Sequence, residues 1–149
     1  MKTIVVGVDG SRESVGALRF ALREARLHGD GLKLVAAWHV PSVAYAGGIP
    51  VAMLDDFEQG ARESLADALE AVADEAGGVP VETVVRQGEA AHVLVEEAEG
   101  AAQLVVGCRD AGVLRRLLHH SVSGECSRAA TCPVTVVHGG EPQLGPEPA

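Results

Sequence analysis

Two segments of this 149-residue chain bring a hydrophobic run straight into a flexible turn with polar groups. The first is Gly7-Val8-Asp9-Gly10-Ser11 and the second is Val105-Val106-Gly107-Cys108-Arg109. Continuous valine-rich runs read as buried strands, so both turns fall at strand carboxyl ends. In an open α/β sheet, ligands bind beyond those ends, where the strand order reverses. Glycines there let backbone amides approach a phosphate, and a helix N-terminus adds its dipole. About a dozen residues follow the second run before Ser121 opens a helix, and connections of that length are usually functional or disordered.

Each of these residues also has a plainer role. Asp9 either meets a ligand or orders the start of the first helix. Ser121 and Ser123 either contact a ligand or cap the last helix. Gly107 either admits a ligand or serves a sharp strand exit, and Arg115 and Arg116 read as a solvated loop face. His119 and His120 are adjacent, so their side chains diverge, and no carboxylate or cysteine stands at ligand spacing; no metal site is expected. A nucleophilic serine wants a G-x-S-x-G elbow, which is absent. No base or lysine is placed for phosphoryl transfer, so no catalytic residue and no enzyme activity are expected. Cys108, beside Arg109, is the cysteine best placed to react, although a small buried thiol is the default. Cys126 and Cys132 read as core packing, Trp38 and His39 as the end of a strand, and Tyr45 as a loop residue able to cover a ligand.

The elements that would position this chemistry are legible from periodicity. Apolar runs at about Thr3 to Val8, Leu32 to His39, Val81 to Arg86, Gln103 to Gly107 and Pro133 to Val137 are expected strands. Continuous rather than alternating, they predict a parallel sheet covered on both faces. A first helix opens at Ser11 with Glu13 in its first turn. It buries Val15, Leu18, Leu22 and Ala25, and stops at Gly29. A second, from about Asp55 to Ala76, should bury Leu54, Phe57, Ala61, Leu65, Leu69 and Val72 before Gly77-Gly78. A short third helix from about Glu89 shows Ala91, Leu94 and Ala98. A fourth, from about Ser121 to Ala130, shows Val122, Cys126 and Ala129. Alternating strands and helices give one three-layer α/β/α domain with an open twisted sheet of five parallel strands. Pro41 to Met53 reads as a long mobile connection, and residues 139–149, rich in glycine, proline and glutamate, as a disordered tail.

Composition sets the class. Hydrophobic residues make up 47% and aromatics 3%, so alanine, valine and leucine must fill the core. The net charge of -9 argues against a nucleic-acid partner, which needs a basic face. Three cysteines without a CxxC pair suit a reducing cytoplasm. No leader and no run of about 18 apolar residues is visible, so neither export nor a membrane is expected.

Four motifs in order carry a resemblance: Ile4-Val5-Val6-Gly7-Val8-Asp9-Gly10-Ser11, Val105-Val106-Gly107-Cys108-Arg109, Ser121-Val122-Ser123, and Cys132-Pro133-Val134-Thr135-Val136-Val137. Together they resemble the universal stress protein family over residues 1–138. The resemblance implies an adenine-nucleotide-hydrolase-like sheet of order 3-2-1-4-5 and a homodimer through the last strand, about Pro133 to Val137. In one subgroup it also implies ATP at the switch point; magnesium would be its companion ion, and no other cofactor is expected. On that match Asp9 lies near the adenosine and Ala37 makes a backbone contact to adenine. Gly107, Ser121, Val122 and Ser123 match phosphate-side and ribose-side positions. Arg109 and Gly112 complete the expected pocket.

The subgroup's motif, glycine-x-x-glycine-x9-glycine-serine/threonine, falls here on Gly107, Asp110, His120 and Ser121. Two glycines are therefore replaced. At about 5 Å and a dielectric near 20, the Asp110 carboxylate would repel a phosphate charge by roughly 3 kcal/mol, about a hundredfold in affinity. His120 adds a ring where the motif has no side chain. Arg109, or a magnesium ion shared by Asp110 and the phosphates, would offset this. The expectation is a stress-response regulator with an ATP-type pocket of weakened affinity. The alternative is a dimeric module with a vestigial pocket whose surface binds an unidentified protein.

Overall fold

The computed structural model describes residues 1–40, 47–48, 51–108 and 122–138. The described elements run β1 (Thr3–Gly7), α1 (Arg12–His28), β2 (Gly31–Trp38), α2 (Val51–Ala71), β3 (Val81–Gln87), α3 (Ala90–Glu97), β4 (Gln103–Cys108), α4 (Val122–Ala129) and β5 (Val134–His138). All pairings are parallel and the order is β3-β2-β1-β4-β5, as expected.

The residues of a strand point alternately to opposite faces, and the two cores follow that alternation. Ile4, Val6, Leu32, Leu34 and Val105 turn toward α1 and α2, meeting Leu18, Leu22, Leu65 and Val72. Val5, Val35, Leu104 and Val106 turn toward α3 and α4, meeting Val93, Leu94 and Cys126. The central strands are therefore apolar almost throughout, Lys33 of β2 being half-buried and paired with Glu97 at 3.2 Å. The reversal falls between β1 and β4, since the chain first builds outward through β2 and β3, then returns to the other side of β1.

The expectation of two covered faces fits β1, β2 and β4, while β3 and β5 differ. They are the sheet's edges, and most of their side chains are half-buried or exposed, Val81 among them. The second helix also differs from its expected bounds. It begins at Val51, so residues 51–53 are helical, and it ends at Ala71. There the Val72 and Ala73 amides reach back only three residues, to Leu69 O and Glu70 O, tightening the last turn out of α geometry. Phe57, expected in the buried stripe, is 39% exposed, as is Val122 of the last helix, and Ala129 is exposed. Among the described residues the core contacts of α2 start at Ala61, one turn beyond Phe57.

Gly29 ends α1 in the left-handed conformation at φ 69, its amide bonded to Ala25 O, as the stop signal implied. Of the connection expected as mobile, residues 41–46 and 49–50 lie outside the described residues, Tyr45 included. So does the expected tail, 139–149.

Candidate functional site

At the carboxyl ends of β1 and β4 the chain leaves a cleft of about 70 Å³. Among the described residues its floor is Gly7, Val35, Leu94 and Val106, with Ala37 and Ala90 beside them. The rim is Val8, Asp9, Ser14, Gly107 and Val122. Val35, Leu94 and Val106 are buried, whereas Asp9 and Val122 are exposed at the mouth. The floor is apolar because the residues β1, β2 and β4 bring to it, Gly7, Val35, Ala37 and Val106, are glycine, alanine or valine. Among the described residues the polar side chains come from the turn after β1 and the start of α1, Asp9 and Ser14.

That turn is built residue by residue. Gly10 has φ 84, a left-handed conformation that L side chains rarely adopt. An added Cβ would also meet Ser64 Oγ at 2.9 Å. Ser11, in extended conformation, caps α1 by accepting the Ser14 amide at 3.1 Å. The Ser11 amide and hydroxyl both donate to Asp9 Oδ1, at 2.9 and 2.5 Å. Ser14, only 3% exposed, donates its hydroxyl to Ser11 O at 2.9 Å and accepts the Asp9 amide at 3.5 Å. Asp9 thus orders the helix start and also lines the cleft.

Gly107 has its own steric reason. A Cβ there would lie 2.5 Å from the carbonyl carbon and 2.9 Å from the Cβ of Glu13. The first turn of α1 therefore presses directly on β4, and only glycine leaves room. The constraint at Gly7 is softer, since a Cβ there would meet Leu94 Cδ1, the end of a flexible side chain, at 2.9 Å.

Of the residues singled out from sequence, Asp9, Ala37, Gly107 and Val122 come together on this one cleft. Ser123 does not line it; it is buried in α4, its carbonyl accepting the Ser127 hydroxyl at 2.8 Å. Arg109, Gly112 and Ser121, with the departures Asp110 and His120 and the pair Arg115 and Arg116, lie outside the described residues. His119 lies there too. Sequence reasoning missed Ser14, Leu94 and Ala90. Ser14 was open to detection, since serine three places after an N-cap serine can hydrogen-bond the cap's backbone.

The cysteines are packing residues. Cys108 and Cys126 are buried and Cys132 is half-buried. Burial, with smaller contributions from Glu125 and Cys132, pushes the Cys126 thiol up to about 11, and burial also raises Cys132. Trp38 closes β2 and packs on the core, and His39 follows it exposed. Among the described residues, no three His, Cys, Asp or Glu side chains gather where they could hold a metal. Nor is any described helix long and apolar enough to cross a membrane.

Comparison with known proteins gives a consistent family. The model of the universal stress protein family matches residues 1–138. A universal stress protein of Mycolicibacterium smegmatis is 38% identical over 140 residues, covering 91% of this chain and 48% of its own length. The chain thus spans about half of that relative. Among solved structures, a universal stress protein in complex with cAMP is 27% identical at a TM-score of 0.67, covering 92% of this chain and 97% of its own. The universal stress protein from Archaeoglobus fulgidus in complex with dAMP is also 27% identical, at a TM-score of 0.68, covering 92% and 98%.

Proposed function

This chain belongs to the universal stress protein family, and from that premise we propose that the cleft between β1 and β4 binds an adenine nucleotide. One observation carries the reading: Asp9, Ala37, Gly107 and Val122, spread across more than a hundred residues of sequence, line a single cleft at the switch point. A narrow apolar floor suits a flat base, and Asp9 at the mouth offers a carboxylate to ligand hydroxyl or amino groups. At about 70 Å³ the described walls are well below the ~300–1,000 Å³ of a site enclosing a whole drug-sized ligand. They would seat the base, with ribose and phosphate extending past Asp9 and Val122. The relatives solved with cAMP and dAMP are consistent with an adenine ligand.

The biological role we attach to this is stress-response regulation by a cytoplasmic homodimer joined along β5. Ligand binding would act through the connection from Cys108 to His120, altering the dimer's surface for a protein partner. Arg109, Gly112, Ser121 and Ser123 are the proposed further contacts, and magnesium would accompany ATP.

A second reading has its own support. Asp110 and His120 stand where the ATP-binding motif has glycines, which favours a vestigial pocket in a protein-interaction module. Calorimetric titration of ATP with magnesium separates the two, using the natural chain and Asp110→Gly with His120→Gly. Micromolar binding by the natural chain supports the nucleotide reading. Silence from the natural chain with binding in the double variant supports the vestigial pocket. Silence from both, with no adenine absorbance released on denaturing the fresh protein, removes the nucleotide altogether.

A further inference from the structure

Among the described residues β3 pairs with β2 alone. Gly88 donates its amide to Trp38 O, and Leu32 donates to Pro80 O. Successive residues of a strand turn their backbone groups to opposite sides. Those of Val81, Thr83, Val85 and Gln87 therefore face away from β2, along a strand of 7 residues. Natural edges are commonly blunted by proline, lysine or a bulge, yet this strand holds neither proline nor lysine. Its charges are Glu82 and Arg86, which share with Val84 the face that carries α3. Arg86 is held there by Glu96 at 2.8 Å and Glu97 at 3.1 Å, and Lys33 pairs with Glu97 at 3.2 Å. That network balances two cations against two carboxylates. Glu82 stands exposed beside it.

We propose that β3 is a self-association edge that takes β3 of a second copy of this chain, antiparallel, about a two-fold axis at Val84. Charge selects both the occupant and the register. Edge charges of a single sign would repel a second copy, whereas opposite signs placed two residues either side of Val84 attract one. About that axis Glu82 stands opposite Arg86 of the second copy, twice over, and Thr83 stands opposite its Val85. Thr83 and Val85 both turn their backbone groups outward, so they form the hydrogen-bonded pairs. Glu82 and Arg86 fall in the pairs between, where Cα atoms approach to about 4.5 Å and side chains meet most closely. Moving the axis one residue, to Thr83 or Val85, sets Glu82 against Val84 or Gly88 and loses both ion pairs. The contact is isologous and lies at the opposite edge of the sheet from β5. Short, and joined by exposed ion pairs, it is weak, so it forms at higher protein concentration than a dimer along β5.

The test is sedimentation velocity of the full chain over a wide range of protein concentration, beside Thr83→Pro and Glu82→Arg. The Thr83 side chain is exposed and its amide points outward, so proline there spares the ladder to β2. The natural chain should show one association step that Thr83→Pro abolishes. Glu82→Arg, which sets arginine against Arg86 twice, should raise the midpoint of that step about tenfold. Both variants should keep the far-ultraviolet circular dichroism of the natural chain. Val136→Pro should leave the step in place, which separates it from a dimer along β5. Hydrogen exchange reads the same contact by residue: the amides of Thr83 and Val85 should exchange more slowly as concentration rises. Absence of any step that responds to Thr83→Pro and Glu82→Arg overturns the proposal. So does protection of those two amides that is independent of concentration, since another part of the chain would then cover the edge.

Discussion

The carboxylate of Asp9 holds Ser11 twice, its Oδ1 accepting the backbone amide at 2.9 Å and the hydroxyl at 2.5 Å. The same hydroxyl oxygen accepts the Ser14 amide at 3.1 Å, so one side chain links the cleft's acid to the helix start. Ser11→Ala is therefore expected to cost about 1 kcal/mol, the usual value of an N-cap. It should also free Asp9 to rotate and weaken ligand binding. Urea unfolding with an unchanged slope, run beside titration of adenosine, checks both effects. Loss of stability with no change in binding would confine the contact to capping.

Gly107 and Gly60 make opposite predictions under the same substitution. A Cβ at Gly107 collides with the Glu13 backbone, while at Gly60, inside α2, it meets nothing within 4 Å. Gly107→Ala should destabilise by about 1–3 kcal/mol, since backbone must shift to admit it. Gly60→Ala should stabilise by about 0.5–1 kcal/mol through the helix propensity of alanine. Thermal unfolding of the two variants against the natural chain reads both signs in one experiment.

The thiol of Cys126 predicts a loss of stability in alkali. Its side chain is fully buried, and burial lifts it from an ordinary 9.0 to about 11. A raised folded value means the unfolded chain releases its proton first. The contribution is thus complete below about pH 9 and is lost as pH rises from 9.0 toward 11. Denaturant midpoints across that window should fall for the natural chain and fall less for Cys126→Ala. The same burial implies that a disulfide reagent modifies Cys126 only after unfolding.

How far the sequence could be read depended on what each residue pattern encodes. Continuous apolar runs located all five strands, because a residue buried on either face must be apolar. They did not separate centre from edge: Val84 and Val85 of β3 are only half-buried, yet their run looks like that of β2. Strand order was reached through the family resemblance, since periodicity is silent about which strands adjoin. Helical spacing likewise marked an apolar stripe through Phe57 and Val122, but spacing cannot say where the underlying core runs out. Of the cleft residues, Asp9, Gly107 and Val122 were recognised through motifs and Ala37 through the family resemblance. Leu94 was read only as a core residue, and its place above Gly7 depends on a helix–strand contact that no local pattern records.

Among the described residues β5 pairs with β4 alone, so the proposed homodimer can be tested at the outward-turned amides of this edge. Leu104 donates its amide to Pro133 O, and Val105 and Val106 stand opposite Thr135 and Val136. In a parallel ladder successive amides alternate in direction, so those of Thr135 and Val137 turn toward β4. The amides of Val134 and Val136 turn outward, and a strand added at this edge would use them. Proline is tolerated on an edge strand when the amide it removes faces away from the sheet. Val136→Pro is therefore expected to keep the monomer's far-ultraviolet circular dichroism while shifting a concentration-dependent dimer to monomer in sedimentation velocity. Val134→Pro should act in the same sense, whereas Thr135→Pro, which breaks the ladder to β4, should lower stability itself. A dimer that survives Val136→Pro unchanged would place the self-association surface somewhere other than β5.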